Sequence, residues 1–74
     1  MTEQRVEHLV KMANQIALNF GERRDLDKAA RLTGEHLQKF WTPAMRKSLL
    51  NYADSGGSGL SPAVSLLLRD ESFS

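Results

Sequence analysis

Apolar residues recur along this chain at offsets of three and four, the spacing that puts side chains on one face of an α-helix. In the first run, Glu3 to Phe20, the stripe is Val6, Leu9, Val10, Ala13, Ile16, Ala17 and Phe20, with Glu7, Lys11, Asn14, Gln15 and Asn19 outside it. Met12 and Leu18 fall off the stripe on opposite flanks and widen the apolar surface beyond what one small core requires. Thr2 is placed to cap this helix, and Gly21 to close it in a left-handed conformation. A charged linker, Glu22-Arg23-Arg24-Asp25, leads to a second run in which Leu26, Ala29, Ala30, Thr33, Leu37, Phe40 and Trp41 line one face. Gly34 inside that run costs a helix about 1 kcal/mol relative to alanine, so either a neighbour packs closely there or the helix breaks.

Thr42-Pro43 and Ser61-Pro62 each read as a cap followed by proline at the first helical position, where the missing N–H is not needed. The third run buries Met45, Leu49, Leu50 and Ala53 with Tyr52 on a flank, and the fourth uses Val64, Leu67 and Leu68. Between them, Asp54-Ser55-Gly56-Gly57-Ser58-Gly59 is turn-forming by composition. No strand-like alternation appears. The expectation is an all-α protein, a small bundle of three to four helices with short connections in a single domain over 1–74. Its helices are expected near 3–20, 27–41, 43–54 and 62–69, with a flexible loop at 55–60 hinged on Gly56, Gly57 and Gly59, and a frayed tail at 70–74.

Composition narrows the classes. With 74 residues and 41% hydrophobic content the core is thin, and with no cysteine there is no disulfide to compensate, so a partner surface is expected to share in stability. Zero cysteine also excludes a thiol nucleophile and a Cys-ligated zinc or iron–sulfur site. Ten Lys plus Arg against nine Asp plus Glu leave a net charge of +1, without the basic excess of a nucleic-acid binder. No apolar stretch approaches the roughly 18 to 20 residues that span a bilayer, and the N-terminus is mixed in charge with no signal-peptide core. No membrane partner and a cytoplasmic location are expected.

Candidate chemistry is sparse. His8 and His36 each stand alone on a helix, lacking the i, i+4 partner of a metal site. Ser58 sits between glycines, but a nucleophile elbow needs glycine where Leu60 stands, and no strand precedes it. The loop also lacks the lysine of a phosphate-binding P-loop; its N–H groups could nest an anion, although a plain hinge is the simpler reading. No catalytic or metal-binding constellation is assigned. The densest cluster is Phe40-Trp41-Thr42-Pro43-Ala44-Met45-Arg46, at the junction of the second and third helices. A lone tryptophan usually belongs to the core, yet Trp, Tyr and Arg also dominate binding hot spots, so Trp41, Arg46 and Tyr52 are open to both roles. Asn14 and Gln15 are open likewise, as amides that either bond a partner's backbone or are solvated. The candidate partner-binding residues are therefore Met12, Asn14, Gln15, Phe40, Trp41, Met45, Arg46 and Tyr52.

Three segments carry a family resemblance. Met12-Ala13-Asn14-Gln15-Ile16-Ala17-Leu18-Asn19-Phe20, His36-Leu37-Gln38-Lys39-Phe40-Trp41-Thr42-Pro43-Ala44-Met45-Arg46 and Gly56-Gly57-Ser58-Gly59-Leu60-Ser61-Pro62 follow one another in order. They match the M-A-N-Q-I-A-x-N-F, H-[IL]-x-x-F-W-x-P-x-M-R and G-G-x-G-L-x-P strings of a known family. In these the chain resembles the delta subunit family of the NAD-dependent, molybdenum-containing formate dehydrogenases. The resemblance implies a non-catalytic accessory protein that associates with the larger formate dehydrogenase subunits and acts in assembly, stability or maturation. It implies no cofactor in this chain, with molybdopterin, iron–sulfur clusters, flavin and NAD in the partner complex. Self-association stays open. The competing reading is a helix-turn-helix DNA-binding regulator, in which Leu26 and Ala30 form a first helix, Thr33-Gly34 the turn, and Leu37 to Phe40 a recognition helix.

Overall fold

The computed structural model describes residues 2–70 and 73, with side chains described from residue 6 onward. Among the described residues there are four helices and no strand: α1 (Thr2–Asn19), α2 (Leu26–Phe40), α3 (Pro43–Asp54) and α4 (Pro62–Leu68). The all-α expectation holds. Thr2, expected as the cap, is instead the first helical residue of α1.

Each helix ends where its chemistry stops it. α1 closes on Gly21 at φ +86°, with the Gly21 N–H donating to Leu18 O and the Glu22 N–H to Ala17 O, a paired closure that needs a left-handed residue. α2 starts at Asp25, whose carboxylate accepts from the Lys28 N–H at 3.1 Å. Thr42 and Ser61 cap α3 and α4 through their hydroxyls, at 3.2 and 3.4 Å from the N–H groups of Met45 and Val64, each followed by proline. α3 closes with the Gly56 N–H on Ala53 O and the Gly57 N–H on Tyr52 O.

The core is narrow and built largely of small residues. Ala13, Ala17, Ala29 and Ala63 are fully buried, which lets helix backbones approach closely around Leu37, Leu49 and Val64. Leu9, Val10, Trp41 and Leu67 complete it, and α2 makes its most extensive contact with α4. Thr33 is the buried polar side chain of the cluster. The second amphipathic stripe is not buried at its ends: Leu26 is 40% exposed and Phe40 71%.

Two expectations need correction. α2 runs unbroken through Gly34, so the separate first and recognition helices of a helix-turn-helix do not form there. The absent side chain instead faces Phe73 and Leu67, each at about van der Waals distance from where a β-carbon would stand. Phe73 itself falls in the segment expected to fray, yet it is 3% exposed. Its ring fills the space between α2 and α4, and its N–H donates to Asp70 O at 3.1 Å. Burying a phenyl group outweighs the ordering cost of a short tail. The rest of the expected frayed segment beyond Asp70 lies outside the described residues.

Candidate partner-binding surface

The residues singled out from the sequence divide into two groups. One group is consumed by the fold. The Asn14 amide donates to Gly59 O at 2.8 Å and accepts from the Ser61 N–H at 2.9 Å, so much of its hydrogen-bonding capacity is used within the fold. The Tyr52 hydroxyl donates to Ser58 O at 2.7 Å. These two side chains, from α1 and α3, hold the glycine loop from both sides. Gly57 adds a steric lock, since a β-carbon there would stand 3.0 Å from the Ala53 Cα and its φ is +52°. The loop with Gly56, Gly57 and Gly59 is thus a tied connection between α3 and α4 and not a free hinge.

Three N–H groups at the start of α4, where an anion was considered, are also taken. Ser61 N–H goes to Asn14, Val64 N–H to the Ser61 hydroxyl, and Ala63 N–H to the Glu22 carboxylate at 2.7 Å. Glu22 thereby ties the α1–α2 turn to the start of α4. Trp41 belongs to the core at 6% exposure, anchored by its N–H to Leu37 O. Met45 is half-buried and packs against that core. Arg46 is half-buried, and its Nε is buried with no hydrogen-bond partner.

The other group faces outward. Met12 is 36% exposed, Gln15 is exposed with its amide donating to Asn19 Oδ1 at 3.3 Å, and Phe40 is the most open large apolar side chain. Phe40 does not stand alone. Its ring lies 4.7 Å from the His36 imidazole, which in turn meets the Phe20 ring edge-on at 6.1 Å. Three rings from α2 and the end of α1 therefore form one continuous aromatic strip, with Phe20 and His36 edge-to-face and His36 and Phe40 tilted at 43°. Sequence reasoning missed Phe20 and His36 as members of it. The i, i+4 spacing of His36 and Phe40 was a usable signal; the approach of Phe20 was not, because it depends on how α1 crosses α2.

No three-residue group of His, Asp or Glu able to hold a metal occurs among the described residues, and the chain has no cysteine. Without cysteine the chain lacks the thiolate ligands of a Cys-held iron–sulfur cluster. No helix among the described residues is long and apolar enough to cross a membrane. Neither the curated proteins nor the solved structures give a match. A family model described as "NADH-dependant formate dehydrogenase delta subunit FdsD" does match, over residues 8–66, which takes in most of the core, the tied glycine loop and the three contacting rings. By that match over most of its length, the chain belongs to the family of the delta subunits of NADH-dependent formate dehydrogenases.

Proposed function

We propose that this chain is a non-catalytic accessory subunit that binds the larger subunits of a cytoplasmic formate dehydrogenase and supports the assembly, stability or maturation of that complex. Formate oxidation and NAD reduction then take place on the larger subunits, which carry the molybdopterin, iron–sulfur and flavin groups. The reading rests on the family match. The observation that supports it within the molecule is Phe40, a large aromatic side chain 71% exposed on a well-packed helix. An apolar ring held in water and contacted by further rings supports a surface completed by another protein.

The test is reconstitution. Larger subunits produced with the tagged chain should co-purify with it, and omitting the chain should lower the yield of assembled complex or its formate-dependent NAD reduction. The chain alone should reduce no NAD. A complex of full composition and activity formed without it, or turnover by the isolated chain, would overturn the reading.

A further inference from the structure

We infer that Phe73 is a C-terminal latch: its ring seats against the notch that Gly34 leaves in α2, and its release frees the end of α4 while the rest of the bundle stays folded. The inference is independent of the accessory-subunit reading, and Phe73 lies beyond residues 8–66, where the family model matches.

The two ends of α4 are held differently. At its start, Asn14 accepts from the Ser61 N–H at 2.9 Å and Glu22 from the Ala63 N–H at 2.7 Å, which ties it to α1 and to the α1–α2 turn. Seven residues are too few for a helix to be stable alone, so the C-terminal end of α4 must be held by packing. Beyond Leu68 the chain leaves in single turns, with the Arg69 N–H donating to Leu66 O, the Asp70 N–H to Leu67 O and the Phe73 N–H to Asp70 O. None of these bonds reaches α2. Phe73 supplies contacts that do: its Cδ1 lies 3.9 Å from where a Gly34 β-carbon would stand, and its carbonyl accepts from the Gln38 amide at 3.4 Å. A latch this near the chain end opens without unfolding the rest, because few contacts break and the polar ties at the start of α4 persist. Opening exposes Leu67, the Phe73 ring and the backbone around Arg69.

Trypsin digestion of the full chain under native conditions reads this opening, because the Arg69–Asp70 bond lies between α4 and Phe73. Arg24–Asp25, the same pair of residues in the α1–α2 turn, is the internal reference. Cleavage within a fold follows the population of the open form. Phe73→Ala is expected to speed cleavage after Arg69 on the order of tenfold or more, as loss of a buried phenyl ring does. Cleavage after Arg24 should stay within about twofold, since that turn opens without the latch. Phe73→Leu, which keeps part of the apolar contact, should accelerate cleavage after Arg69 by less than Phe73→Ala and with the same selectivity. Unchanged cleavage after Arg69 in both variants overturns the latch. Equal acceleration at the two bonds also overturns it, because Phe73 would then add to the stability of the whole bundle and not hold α4 alone.

Discussion

The glycine loop and the aromatic strip are opposite kinds of surface. At the loop, polar groups that look available are engaged within the chain: Asn14 spans 45 residues to reach Gly59, Glu22 spans 41 to reach Ala63, and Tyr52 closes on Ser58. At the strip, large apolar groups that ought to be hidden stay in water, with Phe40 the extreme case. The difference teaches that in a chain this small polar side chains supplement a thin apolar core by tying its loops to the helices. Apolar surface left over is then the part available to a partner. Adjacent residues make the point sharply, since Trp41 is 6% exposed and Phe40 71%.

The most forceful way to break that comparison is Trp41→Ala. Emptying a core site of this size is expected to cost about 3–5 kcal/mol, enough to unfold much of a marginal domain, and urea denaturation would register it. Retained stability would place Trp41 with the strip and not with the core. Gly57→Ala should cost about 2 kcal/mol, from a left-handed φ combined with a β-carbon 3.0 Å from Ala53 Cα. A thermal melt indistinguishable from wild type would show the loop to be loose. Asn14→Ala removes both ties to the loop and should cost about 1–2 kcal/mol, with faster amide exchange around Gly59 to Ser61. In the other direction, Gly34→Ala should stabilise by about 1 kcal/mol, since the new methyl meets Leu67 and Phe73 at ordinary contact distance and α2 gains helix propensity. A loss instead would mean that Phe73 packs closer to Gly34 than van der Waals contact with a β-carbon allows.

Much of the local architecture was legible along the chain. The Thr42-Pro43 and Ser61-Pro62 caps and the Gly21 closure follow from chemistry confined to three or four residues. The Asp25 cap was equally local, but its place in a charged linker concealed it. What could not be read was the long-range polar contact, because an amide 45 residues from its partner has the same sequence signature as a solvated one. The burial of Phe73 was hidden for a related reason: a terminal phenylalanine is anchored only if two helices leave a gap of its size. Of the candidate surface, Met12 was visible as an apolar residue off its helix stripe, and Phe40 as part of the apolar cluster at the junction of α2 and α3. The strip was not, since periodicity assigns faces within a helix and is silent on which faces meet.

The central claim is that Phe40 serves the partner and not the fold, and one comparison tests it most directly. Phe40→Ala should be measured for unfolding free energy and for affinity to the larger formate dehydrogenase subunits. Stability is predicted to stay within about 0.5 kcal/mol of wild type, as for an exposed side chain, while binding falls at least about tenfold. Unchanged affinity with intact folding would contradict the account.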